Sequence, residues 1–246
     1  MPATPESPAG PTREFAANAY DGFAEAYEAE NETSLLNAYY NRPAILDLAG
    51  DVAGRRVLDV GCGAGPVFAA LRDRGATVTG FDASAGMLKL ARRRLGPDAA
   101  LHQGDLADPL PFPDSSFDDV VAPLVLHYLE DWTAPLVELR RVLKPGGRLI
   151  ASVNHPTVYT LLHQDKSYFE TVQWSYDCDF AGQKAVLTNW HRPLHAMTDA
   201  FTAAGFRISV ISEPAPSPDA AKAFPEDPAA RKRFMCFLFF VLEASC

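Results

Sequence analysis

No stretch of this 246-residue chain reaches the roughly eighteen consecutive apolar residues of a membrane-spanning helix; FMCFLFFVLEA, near the C-terminus, has the length of a buried strand. The opening MPATPESPAGPTRE lacks a basic start followed by an apolar block, so it is no secretory signal, and residues 1–14 read as a disordered lead-in. Cysteine is scarce. Cys62, Cys178, Cys236 and Cys246 show neither paired spacing nor C-x-x-C, so neither a disulfide framework nor a zinc site is expected, and free thiols fit a cytoplasmic protein. No other metal-ligand cluster is evident. Positive charge is also short: 22 Lys and Arg stand against 31 Asp and Glu, a net charge of −9. Such a surface repels phosphate backbones, which disfavours nucleic acid and anionic membranes as partners and leaves a small molecule. The run ARRRL (91–95) is the best basic patch, and it reads as the exposed face of an ordinary helix.

What the chain has is apolar residues, 48% of the total, enough for the core of one large α/β domain. Between 55 and 153 strand and helix alternate: RRVLDVG, ATVTGFD, AALHQGD, VVAPLVL and RLIASV as strands, with amphipathic segments between them. Ser84 is placed to cap a helix whose Met87, Leu88, Ala91 and Leu95 form one apolar face. This pace predicts βαβ units and a doubly wound, Rossmann-like, mostly parallel seven-stranded sheet. RISVISE and FMCFLFFVLE supply the late strands, one of them antiparallel. Residues 15–50 read as an aromatic-rich helical cover. Residues 154–192 break the rhythm and read as an insertion after the fifth strand.

The run VLDVGCGAGP (57–66) carries Gly61, Gly63 and Gly65, followed by Pro66. A dinucleotide fingerprint, G-x-G-x-x-G, requires glycine at 66, where it permits close helix–strand packing. The G-K-[ST] of a phosphate-binding P-loop is missing too. Asp59, Asp82 and Asp105 stand at or just past successive strand ends with no compensating Arg or Lys in the turns that follow them. Asp82 follows the first glycine by about twenty residues, where an acid accepts ribose hydroxyls. Acids without a phosphate partner suit a cationic, phosphate-free nucleoside.

These motifs resemble those of class I S-adenosylmethionine-dependent methyltransferases of the small-molecule type, the group that includes the ubiquinone and menaquinone enzymes. VLDVGCGAG, GFDASAGML, QGDLADPLPFPDSSFDDVVAPLVLHYLED and RVLKPGGRLIASV follow in the family's order. The resemblance implies one methyltransferase domain over 15–246 and S-adenosyl-L-methionine as cofactor, leaving S-adenosyl-L-homocysteine as product. It makes Gly61, Gly63 and Gly65 the turn under the methionine part. Asp82 would bind the ribose, with Ala83 and Met87 beside the adenine and Asp105 and Leu106 at its edge and face. Asp59 would bind the turn amides or, through water, the ammonium group. Tyr20 would touch the methionine carboxylate.

The implied reaction is methyl transfer to O, N or C of a small aromatic or apolar acceptor. An activated methyl donor asks the protein for positioning more than for acid–base groups. Should the acceptor lose a proton, His127, in LHYL after the fourth strand, and His155, in NHPT after the fifth, are the candidate bases. Residues 154–192 would form a substrate lid with an aromatic lining from Tyr159, His163, Tyr168, Phe169, Trp174, Tyr176, Trp190 and His191. Two other readings stay open: a cofactor-binding interaction module without turnover, and a nicotinamide-dependent oxidoreductase.

Overall fold

The computed structural model describes residues 20–180, 182–231 and 235–245, so the lead-in expected over 1–14 lies outside the described residues. The central sheet contains β1 (Arg56–Val60), β2 (Thr77–Asp82), β3 (Ala100–Gln103), β4 (Phe117–Pro123), β5 (Leu143–Asn154), β8 (Phe206–Ser212) and β9 (Phe237–Ala244). Its order is β3-β2-β1-β4-β5-β9-β8. β1 to β5 pair in parallel, and β9 runs antiparallel between β5 and β8. The expected mostly parallel seven-stranded sheet with one antiparallel late strand is therefore the one found.

The strands are apolar runs because both faces are covered. Leu58, Val120 and Leu149 pack with Leu136 and Leu139 of α5 (Thr133–Val142) and Phe201 of α7 (Leu194–Ala203). Their chain neighbours Val57, Val121 and Ile150 pack on the opposite face with Ile45 of α2 (Arg42–Ala49) and Phe68 and Leu71 of α3 (Pro66–Asp73). At the far edge from the strand exits, Asp119 is fully buried between two guanidinium groups, Arg55 at 2.5 Å and Arg148 at 2.8 Å.

The cover consists of α1 (Ala24–Asn31), a π-helical turn (Asn37–Asn41) and α2. It is tied to α4 (Ala85–Leu95), which starts at Ser84 as expected, the hydroxyl accepting the Met87 N–H at 3.0 Å. The basic run at the end of α4 does more than face solvent. Arg94 pairs with Glu28 at 3.1 Å and Glu32 at 2.6 Å, and Arg93 with Glu25 at 3.2 Å, which clamps the cover onto the sheet domain.

The insertion is more regular than its sequence suggests. It holds α6 (Pro156–Leu162) and a two-stranded antiparallel hairpin of β6 (Val172–Phe180) and β7 (Gln183–His191). β6 alternates, with Val172, Trp174, Tyr176, Cys178 and Phe180 on one face and Gln173, Ser175, Asp177 and Asp179 on the other, but β7 breaks the pattern by placing Asn189 and His191 on the first face and Val186 and Trp190 on the second. The hairpin's end meets the cover: Phe180 stacks on Phe23 at 5.3 Å, and Gln183 donates to the Gly22 carbonyl at 2.7 Å.

Candidate functional site

β1 lies between β2 and β4, so the crossovers leave it in opposite directions and open a crevice at the strand C-termini. A cavity of about 1660 Å³ occupies that crevice, roofed by the cover and the hairpin. Among the expected cofactor residues, Tyr20, Asp59, Gly61, Gly63, Asp82, Ala83, Met87, Asp105 and Leu106 all line it, and Gly65 does not.

The three glycines all have positive φ: 68° at Gly61, 53° at Gly63 and 81° at Gly65. They serve different ends. A Cβ on Gly61 would meet Val125 at 2.8 Å, and one on Gly65 would meet Leu95 at 2.8 Å, whereas one on Gly63 would enter open space. Gly65 thus makes room for α4 against the start of α3, and Pro66 follows it at the first helical position. Gly65 belongs to the packing beneath the site.

The turn amides are claimed in a way that corrects one expectation for Asp59. Gly61 N and Cys62 N donate to the Phe81 carbonyl at 2.8 and 3.2 Å, and Gly63 N donates to Asp82 Oδ2 at 2.8 Å. Asp82 Oδ1 also accepts from Ser84 N at 2.9 Å, so Asp82 braces both the glycine turn and the start of α4. Asp59 binds none of these amides. It is fully buried, and neither carboxylate oxygen meets hydrogen-bond geometry with a partner among the described residues, although the Phe68 amide lies near enough to oppose the upward shift. Burial, and then the charge of Asp82, push its carboxyl up to about 8. Burial also raises Asp82, against the lowering effect of its bonds from Ser84 and Gly63.

An orphaned, fully buried carboxylate on a cavity wall is costly unless a cation meets it there. The ammonium of a methionine moiety is such a cation, and the open space above Gly63 leaves room for its chain. Next along the crevice, Met87 and Leu106 offer apolar surface, and Asp105 turns its Oδ1 to Ala107 N at 2.8 Å. The donor set therefore fits S-adenosyl-L-methionine: acids for the ammonium and ribose, apolar side chains for the adenine, and no phosphate-binding cation at the turn.

The two histidines separate. His127, in the 3₁₀ turn Leu126–Tyr128 after β4, lines the cavity; burial depresses it to about 3, and its Nδ1 has no partner. His155 does not line the cavity, contrary to its expected place as a base. Its Nδ1 accepts from Thr157 N at 3.2 Å and caps α6, while its Nε2 bonds Glu213 at 2.7 Å. Both ring nitrogens are committed to holding the chain after β5.

The aromatic lid residues divide as well. Tyr176 and Trp190 line the cavity, joined by Phe180, while Tyr159, His163, Trp174 and His191 pack against one another with ring centroids 4.3–6.0 Å apart, Tyr159 stacking on His191. Phe169 points to solvent. Sequence reasoning missed Tyr128, whose hydroxyl bonds that of Tyr20, and Asn154, which lines the cavity at the end of β5. It also missed Leu124, which takes φ 53° where β4 exits and donates to Ser152 Oγ at 3.1 Å. A strained non-glycine residue beside a ligand cleft carries no signal in the sequence.

The comparisons agree with this geometry. Residues 58–151 match the methyltransferase domain family. A crystal structure of an S-adenosylmethionine-dependent methyltransferase from Mesorhizobium loti superposes with a TM-score of 0.64 at 26% identity, covering 82% of this chain and 96% of that one. Residues 58–151 are thus a methyltransferase domain of the S-adenosylmethionine-dependent type. Within that class it is similar to the demethylmenaquinone methyltransferase of Renibacterium salmoninarum, 39% identical over 140 residues, which are 56% of this chain and 58% of that protein. It is also similar to the ubiquinone/menaquinone biosynthesis C-methyltransferase of Desulfotalea psychrophila, 32% identical over 148 residues, 58% of this chain and 60% of that protein. The chain thus spans a little over half the length of the curated relatives it matches. No helix among the described residues is long and apolar enough to cross a membrane.

Proposed function

We propose that this protein transfers a methyl group from S-adenosyl-L-methionine to a quinone-type aromatic small molecule, with residues 154–192 as the substrate lid. The observation that carries the reading is Asp59, a buried carboxyl without a hydrogen-bond partner in the wall of a crevice whose glycine turn carries no phosphate-binding cation. Asp59 would take the ammonium, Asp82 the ribose, and Met87, Ala83, Leu106 and Asp105 the adenine. The bound cofactor supplies an electrophilic methyl group, so the chain's own task is to orient an acceptor in line and exclude water. Tyr128, Tyr176, Phe180 and Trp190 wall the cavity with rings suited to a planar acceptor. The similarity to quinone methyltransferases supports that acceptor class.

His127 is neutral at neutral pH because burial disfavours its charged form. An imidazole in that state accepts a hydrogen bond and so orients an acceptor hydroxyl. His127→Phe keeps the ring and removes the nitrogens. It is expected to lower kcat by about 100-fold while leaving the Kd for S-adenosylhomocysteine within about twofold. Unchanged turnover would return His127 to a packing role.

The whole reading is tested by calorimetric titration with S-adenosylhomocysteine and, separately, NADH, followed by label transfer from methyl-labelled cofactor to a panel of hydroquinones and phenols. Binding of the first ligand and labelling of a hydroquinone are expected. Tight binding of NADH with none of S-adenosylhomocysteine would overturn the reading. Cofactor binding with no labelled acceptor across a broad panel would favour the interaction module.

A further inference from the structure

The cavity holds more room than its cofactor needs. Its volume of about 1660 Å³ exceeds the roughly 300–1,000 Å³ of an ordinary small-molecule site. The acids assigned to the cofactor stand at β1, at β2 and just after β3. On the other side of β1 come β4, β5 and β9 in turn. Over the ends of these three strands the cavity continues as an arm, lined by Leu124, Asn154 and Phe237, by Leu35 and Asn41 of the cover, and by Phe224 of the segment before β9. Most of these side chains are apolar. The few polar groups on such a surface are the ones that fix a ligand's orientation.

Asn41 is such a group. It ends the π-helical turn of the cover and is only 4% exposed. Its side chain does not cap α2. Instead its Nδ2 donates to Ser152 Oγ at 2.7 Å, and Ser152 is fully buried in β5. The same Oγ accepts from Leu124 N at 3.1 Å, where the backbone is held at φ 53°. A chain of hydrogen bonds thus runs from the exit of β4 through β5 to the cover and holds the carboxamide in place. Both lone pairs of Ser152 Oγ are then taken. Asn41 Oδ1 is left without a donor among the described residues, on a side chain that lines the cavity. A buried amide oxygen with no donor is costly, and a ligand hydroxyl removes the cost. Single π turns occur often at functional sites, as do non-glycine residues held at positive φ.

We propose that Asn41 binds the methyl acceptor, its Oδ1 accepting a hydrogen bond from a hydroxyl on the acceptor ring. The proposal rests on the acceptor class given above. The cofactor does not account for this oxygen. Asn41 is anchored on β5, and the exit of β4 stands between it and the glycine turn that ends β1. Val125 fills that interval, set so closely on Gly61 that a Cβ there would meet it at 2.8 Å. His127 and Asn41 are then two neutral acceptors in one cavity, one from the turn after β4 and one from the cover. A ligand that brings hydroxyl donors satisfies them. One whose oxygens are capped sets oxygen against Oδ1 and leaves it unpaired, and sites built to bond a hydroxyl reject such analogues strongly. The cover therefore takes part in choosing the acceptor.

The test is titration of the protein saturated with S-adenosylhomocysteine, under nitrogen, with two probes. One is 1,4-naphthohydroquinone, which has two O–H donors; the other is 1,4-dimethoxynaphthalene, which has the same rings and none. Asn41→Leu is expected to weaken the hydroquinone by about tenfold or more. It should leave the dimethoxy probe and S-adenosylhomocysteine each within about twofold of wild type. Asn41→Asp keeps an accepting oxygen and can accept from the Ser152 hydroxyl, so it should hold the hydroquinone within about threefold. If Asn41→Leu does not fold, Asn41→Ser, too short to reach the acceptor, carries the same expectation. Equal weakening of both probes, an unchanged hydroquinone, or a comparable loss of S-adenosylhomocysteine would overturn the proposal. So would Asn41→Asp binding the hydroquinone as poorly as Asn41→Leu, since the amide would then be presenting its NH2 group. Wild type binding neither probe removes the acceptor class itself; wild type binding both, with no effect of Asn41→Leu, removes only the role of Asn41.

Discussion

Asp59→Asn is expected to raise the melting temperature of the ligand-free protein near pH 8 and to weaken S-adenosylhomocysteine binding by about 100-fold or more. The two effects have one cause. Asp59 is fully buried without a hydrogen-bond partner, and its carboxyl stands at about 8 in the folded protein against 3.8 for the unperturbed group. For an acid raised in this way the folded state disfavours the charged form. The destabilisation is absent below the unfolded value, grows as pH rises from about 4, and is complete above about 8, where it amounts to several kcal/mol. Asparagine keeps the shape and removes the ionisation, so the stability gap between mutant and wild type should widen from pH 5 to pH 8 and close below pH 4. A gap that is flat with pH would show that Asp59 is not the buried acid described.

Binding reverses the account. A cationic ligand turns the buried charge from a cost into an ion pair, so wild-type affinity should climb as pH approaches 8 and Asp59 ionises more readily. At pH 7 binding should release a proton, visible as a calorimetric enthalpy that changes with the ionisation enthalpy of the buffer. Asp59→Asn loses both the affinity and the proton release. A residue that destabilises the empty fold while serving the bound one is a common signature of a functional site.

The acids could be located in the sequence because a parallel sheet brings all its strand C-termini to one edge, so Asp59, Asp82 and Asp105 had to converge once the strands were found. The glycines were readable for the same reason, since a turn from strand to helix with φ above zero favours no other residue. What each group does there was less readable. The turn amides went to Asp82 and the Phe81 carbonyl because Asp59 sits further back inside β1. His155 and His127 both follow strands, but the residue after β5 enters a helix cap and the one after β4 enters a 3₁₀ turn, and no period in the sequence separates those exits. The hairpin was hidden because β7 breaks the alternation that β6 carries, and its buried residues Phe180 and Leu187 pack with Phe23 in a small cluster apart from the main core.

Asp82→Ala is expected to weaken S-adenosylhomocysteine by about 100-fold, more than the loss of a ribose contact alone would give. Both carboxylate oxygens are already acceptors, one for Gly63 N at 2.8 Å and one for Ser84 N at 2.9 Å. Each oxygen has a further lone pair, so the same carboxylate can brace the turn and still receive two ribose hydroxyls. Alanine removes all of this at once: two backbone donors lose their partner, the glycine turn loosens, and the N-terminus of α4 loses a negative charge beside its exposed amides. The asparagine variant separates this account from a simple ribose contact. In Asp82→Asn one oxygen becomes an NH2 group, which must face either Gly63 N–H or Ser84 N–H, donor against donor. Asp82→Asn should therefore bind almost as poorly as Asp82→Ala and melt lower than wild type without ligand. If Asp82→Asn keeps most of the affinity, the ribose contact is the whole of the role, and the glycine turn holds its shape without help from β2.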